Sequence, residues 1–520
     1  MTLMELPQTP APVLRLAAYG FIAIIVTLFV SIVRQFLFRS KTEPPAVFHW
    51  IPYIGNAVSY GMDPVGFFEK YRAKYGDVFT FTLFGRKITC YLGIEGNDFI
   101  LNGKLQDIDA AEIYGPLTIP VFGKDVVYDC PNSKFMEQKK FVKFGLTQKA
   151  LESYVPLIEK EVLDYIKGSP AWKGESGVVD ISGAMSHITL FTASRSLQGK
   201  EVRQKLTTDF ARLYHDLDMG FTPVNFLFPW LPLPRNRRRD AAHNKMRAIY
   251  EDIIKERRKT GRPEDAEDDM IWNLMESSYK NGTPVPDSEI ACMMITLLMG
   301  GQHSSSSASG WILLRLAAHP DIAEELFQEQ MQNLGCGKKG RLPPLKYSDL
   351  DKLPLLKDVV KETLRLHGSI HSVLRKVKNP LPIAGTPYIV GTDKVLLASP
   401  MVTAASDVFF KDAKSWNPHR WDNPHQQTDE SADDTVDYGY GAVSKGTKSP
   451  YIPFGAGRHR CIGEKFAYLN LGVIVATIVR EFKLQTMDGK VGVVPPTDHT
   501  SMFARPPQPS FIRWTRREYD

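Results

Sequence analysis

Residues Leu16 to Val33 (LAAYGFIAIIVTLFVSIV) carry no charged side chain, and few structures can accommodate such a run. It is long enough to cross the hydrocarbon core of a bilayer as a helix, where every backbone N–H and C=O must find its partner within the segment. Arg34, Arg39 and Lys41 follow it, and basic residues on that flank favour leaving the downstream chain on the cytoplasmic side. No small-residue cleavage site comes after the run, so it reads as a retained anchor and not as a removed signal peptide. A buried core helix fits poorly with the basic flank and with the stiff Glu43-Pro44-Pro45 segment beyond it. The expected division is an N-terminal membrane anchor and linker over residues 1–45, then one large domain over residues 46–520.

Composition narrows what that domain does. With 43% hydrophobic and 23% charged residues it is an ordinary globular chain with a large core. The net charge of +6 over 520 residues is too small for a dedicated nucleic-acid binder and points to local basic patches. Five cysteines (Cys90, Cys130, Cys292, Cys336, Cys461) with no CxxC pair argue against a disulfide scaffold or a structural zinc site. They favour a reducing compartment, in which any special cysteine acts alone. The NGT at 281 is then a glycosylation sequon on a domain where it goes unused.

The domain reads as mainly α-helical with small β-sheets. DVFTFTLFGRKITCYLG alternates like a hairpin around Gly85, and GTPYIVGTDKVLLAS reads as a second small sheet. Residues 425–448 are polar, acidic and Gly-rich and read as an exposed insertion. Gly439-Tyr-Gly441 within it has neither the preceding strand nor the third glycine of a dinucleotide site. No other stretch resembles a flavin or nicotinamide site, so a redox enzyme built on this chain draws its electrons from another protein.

Three helices stand out. One starts near Asp287, read as an N-cap, and runs to Ala318 before Pro320. Its apolar stripe is interrupted by the weakly helix-forming Gly300, Gly301, Gln302, His303 and Ser304–Ser307. A second, LPLLKDVVKETLRLH, places Glu362 and Arg365 on one face. His367 and His371 beyond it lack the glutamate of a zinc-protease motif. The third, EKFAYLNLGVIVATIVREF, is apolar almost all round and is expected to be buried.

The third helix is preceded by PFGAGRHRCIG, residues 453–463. A cysteine just before a helix start meets unpaired N–H groups and the positive end of the dipole, both of which favour the thiolate. The glycines allow close backbone approach, and Gly463 leaves room for something flat. Such a sulfur suits a nucleophile, a redox sensor or an axial metal ligand, and a small buried hydrophobe is the plain alternative.

Residues 454–463 resemble the haem-binding loop of the cytochrome P450 monooxygenases, F-x-x-G-x-[R/H]-x-C-x-G. Glu362-Thr-Leu-Arg365 is similar to that family's ExxR, and Pro418-His-Arg420-Trp421 to its P-x-R-[F/W]. The resemblance implies a cytochrome P450 fold after one transmembrane helix, with Glu362, Arg365 and Arg420 forming a buried charge network. Gly301-Gln302-His303-Ser304, EPPAVFHWIPYIGNAVSYG, YGPLTIPVFGKDVVYDCPN, ASRSLQGKEVR and ETLRLHGSIHS are similar to the sterol 14α-demethylases of that family, fungal members above all.

That resemblance implies haem b bound by Cys461, whose thiolate favours O–O cleavage, in a loop with Phe454, Gly455 and Gly463. It puts the haem propionates near Tyr114, Tyr128, Lys139, Arg375 and His459, where cations and strong donors offset two carboxylates in a low-dielectric site. His303 and Ser304 replace the usual acid and threonine of proton delivery, with Asp218 as the histidine's partner. The substrate positions are Tyr114, Phe122, Phe221, Gly301, His371, Ser372 and Phe503.

The implied reaction removes the 14α-methyl group of lanosterol or its 24-methylene relative, eburicol, in ergosterol biosynthesis. Three successive oxygenations consume O2 and electrons from NADPH through a separate NADPH-cytochrome P450 reductase, with release of formate. The family is also the target of azole inhibitors. The alternatives are a monooxygenase acting on another apolar lipid and a haem-thiolate sensor without turnover. The implied location is the endoplasmic reticulum membrane, single-pass with a cytosolic catalytic domain. MGFTPVNFLFPWLPLP, followed by Arg235, Arg237, Arg238 and Arg239, suits a loop dipping into lipid beside head-group-binding cations. Lys445, Arg458, Arg460 and Lys465 suit a face for an acidic reductase.

Overall fold

The computed structural model describes residues 11–37, 40–206, 208–335, 340–422 and 434–519. Cys336 and residues 425–433 of the expected insertion lie outside the described residues. The chain divides into two compact units, one of Met1–Tyr91, Lys104–Ile108 and Arg375–Leu397, the other of Leu92–Gly103, Asp109–Leu374 and Ala398–Asp520.

The smaller unit begins with helix α1 (Ala11–Leu37). Its Arg15–Leu37 stretch is long and apolar enough to cross a membrane, and the most apolar part of it is not buried. Strands β1 (Val78–Leu83) and β2 (Arg86–Tyr91) form the expected antiparallel hairpin. Its two-residue turn needs left-handed backbone at both positions, and Phe84 (φ 47°) and Gly85 (φ 77°) supply it. Strands β3 (Ile108–Asp109), β4 (Val373–Val377) and β5 (Lys394–Ala398) complete one sheet in the order β1-β2-β5-β4-β3. The stretch expected to make a second sheet is therefore split. Its Ile389–Val390 pairs with Leu381–Pro382, whereas β5 joins β2 in parallel. Every residue of β5 is buried, as a strand covered on both faces requires.

The larger unit is helical. The elements that position the site are α2 (Ala111–Phe122), α3 (Asn132–Phe144), α4 (Ile181–Ala193), α5 (Thr208–Asp218), α6 (Asp287–Ala318), α7 (Pro354–Leu366) and α8 (Glu464–Glu481). Helix α6 spans the expected range, but Asp287 is its first helical residue and not its N-cap. The Asp287 carboxylate instead pairs with Arg258 at 2.6 Å. Helix α8 is buried continuously from Leu469 to Arg480, as its all-round apolar sequence requires. A three-stranded antiparallel sheet of Phe482–Thr486, Phe511–Arg516 and Ser176–Asp180 follows it. The described part of the insertion forms a short hairpin, β6 (Thr435–Asp437) and β7 (Ala442–Ser444). It is not simply exposed, because Tyr440 at its tip is only 3% accessible.

Behind the site, the buried Glu362 carboxylate accepts from Arg365 Nε (2.9 Å) and Nη2 (2.8 Å), Arg420 Nε (3.2 Å), Trp421 Nε1 (3.1 Å) and the Asn417 N–H (3.0 Å). The guanidinium groups give their remaining protons to backbone carbonyls, Arg365 to Ala404 and Ser415, Arg420 to Asp412 and Ser415. Removing the carboxylate would leave two buried cations without their anion. Glu362→Ala is expected to destabilise the protein by about 3–5 kcal/mol. Urea unfolding of the purified variants measures this; a loss under about 1 kcal/mol would contradict a full role for the network.

Candidate active site around Cys461 and the long helix

The cysteine loop is built by glycine. Gly455 (φ 71°) and Gly457 (φ 66°) turn the chain in the left-handed region, and the Cys461 N–H then donates to Phe454 O at 2.9 Å. The loop carbonyls of Arg458 and Arg460 accept from Lys139 Nζ at 3.0 and 2.8 Å. Lys139 is thus buried and not on a solvated face, and burial draws its pKa down to about 7. Arg460 forms a two-pronged ion pair with Glu464 at 3.0 Å, which removes it from an open basic face.

Cys461 presents accessible surface although protein surrounds its sulfur. Both hold if that surface faces an internal chamber. Burial pushes the thiol up, against the Gly463 N–H bond and the charges of Lys139 and Arg460. Burial therefore outweighs the helix end that was expected to favour the thiolate. A sulfur so placed ionises when a cation binds it.

Helix α6 opens on one stripe. Leu297, Gly300, Gly301 and Ser304, at i, i+3, i+4 and i+7, are half-buried or exposed, whereas Leu298, Met299 and Gln302 between them are buried. A Cβ added at Gly300, Gly301 or Gly455 would meet nothing within 4 Å. Together with a lone cysteine sulfur, this glycine-lined space fits a flat macrocycle with one soft axial ligand.

His303 lies 100° round the helix from Ser304 and so faces another way. Its Nε2 is in ion-pair contact with Asp218 Oδ1. Its ring stacks on Phe503, with centroids 4.7 Å apart and an interplanar angle of 13°. A polar cavity lies on this side, lined among others by Tyr214, Asp218, Gln302, His303, Ser306 and Arg505. Tyr214 was missed in the sequence, although its position four residues before Asp218 puts both on one face of α5. Its hydroxyl is buried and has no partner among the described residues. Burial, then the Asp218 charge, pushes its pKa well up.

The remaining expected residues fall into clusters. Tyr114 stacks on Tyr128 at 5.6 Å, and Tyr128 lies 5.9 Å from the His459 ring, so these three make a row ending at the cysteine loop. The Tyr114 hydroxyl accepts from the Leu374 N–H at 2.9 Å. Phe221 contacts Phe122 (5.6 Å) and Phe503 (6.0 Å), forming an apolar wall beside His303. His371 Nδ1 and Ser372 Oγ are 2.8 Å apart. Arg375 is buried in β4 of the smaller unit. In the stretch read as lipid-facing, Trp230 is 72% exposed. Arg237 and Arg238 are exposed too, but Arg239 is buried against Asp240.

The family model for cytochrome P450 matches residues 45–514. A sterol 14-alpha demethylase of Gibberella zeae is 67% identical over 95% of this chain and 98% of its own length. One of Aspergillus fumigatus is 63% identical over 97% and 98%. An eburicol 14-alpha-demethylase of Penicillium italicum is 57% identical over 98% and 99%. The retinoic acid-bound cyanobacterial CYP120A1 superposes with a TM-score of 0.73 at 20% identity, covering 92% of this chain and all of that one, and shares the fold. The chain belongs to the cytochrome P450 family. It is accordingly a haem-thiolate monooxygenase, supplied with electrons by a redox partner.

Burial, and then the charge of His499, lowers the pKa of His371 to about 4. The unfolded value is about 6.5, so between the two the unfolded chain binds the extra proton. Stability present above pH 6.5 is therefore lost as pH falls towards 4. Thermal unfolding midpoints should drop more steeply over that window in the wild type than in His371→Leu; parallel curves would contradict this.

Proposed function

We propose that this monooxygenase is a sterol 14α-demethylase acting on lanosterol or its 24-methylene relative. The observation that carries the proposal is near-full-length identity of 57–67% to enzymes named for that reaction. The haem, when bound, supplies activation of O2 and its insertion into an unactivated C–H bond. Three such rounds take the methyl group through alcohol and aldehyde to formate and leave a double bond in the sterol nucleus.

In this reading the Cys461 thiolate would hold the haem iron, and Phe454, Gly455 and Gly463 of its loop would bound the group. Tyr114, Tyr128 and His459 would face one propionate edge; Arg375 is the cation that the family resemblance adds. Lys139, whose Nζ holds two loop carbonyls and lies over the Tyr440 ring, would act on a propionate through its charge. Phe122, Phe221 and Phe503 with His371 and Ser372 enclose the apolar substrate, and Gly301 gives it room against the helix.

His303 and Ser304 look to adjacent sides of α6, which suits a proton carried across the helix. The Asp218–His303 pair would take up a proton from the polar cavity, and the Ser304 hydroxyl on the other side would relay one, donating its own proton as it accepts the next. The accessible apolar helix α1 anchors the chain, with the catalytic domain of residues 46–520 on the cytosolic side of the endoplasmic reticulum, where NADPH-cytochrome P450 reductase would meet it. The exposed Trp230 supports contact of its loop with lipid.

Reconstitution with that reductase, NADPH and either sterol should yield formate and 14-demethylated product in equal amounts. Intact haem without those products would overturn the proposal. His303→Ala should slow turnover by about 10²-fold or more and divert electrons to hydrogen peroxide; unchanged coupling of NADPH use to product would remove the proton role.

A further inference from the structure

We propose that the β6–β7 hairpin is a brace for the cysteine loop and that Tyr440 is its positioning residue. Tyr440 is almost fully buried, and its ring lies 4.0 Å from Lys139 Nζ, the ammonium that caps the carbonyls of Arg458 and Arg460. Lys143, one turn further along α3, donates to the Tyr440 carbonyl at 3.1 Å. Two lysines of one helix thus hold the same residue, one by its ring and the other by its backbone. The Tyr440 hydroxyl reaches the carbonyls of Gly457 and Arg458 only at 3.4 Å, long for an O–H···O bond, so the ring carries most of the contact.

The hairpin is shaped for this. Asp437 accepts from the N–H groups of Gly439 (2.7 Å) and Gly441 (2.9 Å), whose φ angles of 109° and 103° no other residue adopts easily. A Cβ at Gly441 would lie 2.5 Å from Lys143 Nζ and displace it. Tyr438 receives the Arg458 guanidinium at 4.7 Å. From the other side, Asn102 Nδ2 donates to Lys445 O at 2.7 Å. A Cβ at Gly457 would lie 2.6 Å from Asn102 Oδ1. The loop is held between these contacts.

The consequence reaches the sulfur through one peptide unit. The Arg460 carbonyl capped by Lys139 shares its peptide with the Cys461 N–H, which donates to Phe454 O. An N–H of Lys139 on the carbonyl polarises that unit and strengthens the bond. The aromatic face and the two carbonyls offset part of the desolvation of the buried Nζ, whose pKa still falls to about 7. Without the ring the ammonium loses one of its partners, the loop slackens, and the sulfur departs from the geometry an axial ligand must keep. The brace rests on Cys461 being the haem ligand.

The test uses the full-length haem-loaded protein. The carbon monoxide difference spectrum separates thiolate-bound from thiol-bound haem, and transfer to apomyoglobin measures haem release. Tyr440→Ala should raise the thiol-bound share and speed haem release roughly five- to thirtyfold, the worth of a desolvated cation–ring contact. Tyr440→Phe, which keeps the ring, should restore wild-type behaviour in both. Lys143→Met, at an exposed position that tolerates change, should fall between and serves where Tyr440→Ala fails to accumulate. Wild-type spectra and release in Tyr440→Ala, or in Lys143→Met, would overturn the brace, as would Tyr440→Phe behaving like Tyr440→Ala. A thiolate-bound spectrum in Cys461→Ala would instead overturn the ligand assignment.

Discussion

The Glu362 carboxylate is the buried charge on which the larger unit depends. An isolated anion in that position would be pushed to its neutral form; two guanidinium groups, an indole and a backbone N–H keep it in place. Through it α7 is tied to the chain around residues 404–421. Trp421, one of its donors, packs on Tyr451 at 5.0 Å. The Tyr451 hydroxyl lies 3.1 Å from that of Tyr468, whose ring contacts Phe454 of the cysteine loop at 5.3 Å. An unbroken series of polar and aromatic contacts therefore links this anion to the loop. Rigidity here matters more than net energy, because a buried ion pair adds little stability over a well-packed apolar replacement.

The second constraint is a helix with two working faces. In α6 the glycine stripe creates open space by withholding side chains, while His303, Gln302 and Ser306 line a polar cavity on the other side of the helix. Gly300, Gly301 and the serines are poor helix formers, so the segment is carried by the buried turns on either side of it. A weak mid-helix stretch is what allows one element to bound both the glycine-lined space and the polar cavity.

Much of this was legible from residues alone, because it is local. The ranges of α6, α7 and α8 follow from apolar periodicity and from Pro320, and the β1–β2 turn follows from Gly85. The reading failed where the deciding partner is distant in the chain. Asp287 looks like an N-cap until Arg258 takes its carboxylate. The insertion looks solvated until Tyr440 is found beneath Lys139.

The sequence by itself determined the chemistry: a single cysteine in a glycine loop, an uncharged N-terminal run, a polar break in an apolar helix, and the motifs that mark the family. Those signals depend on residue type and short spacing, which the chain carries wherever it folds. Only the tertiary structure decided the state of the groups. It made the Cys461 thiol harder to ionise instead of easier, drew Lys139 down towards neutrality, brought Asp218 to His303, and turned Tyr440 inward. Burial and long-range charge set those outcomes, and neither is a property of a residue and its neighbours in sequence.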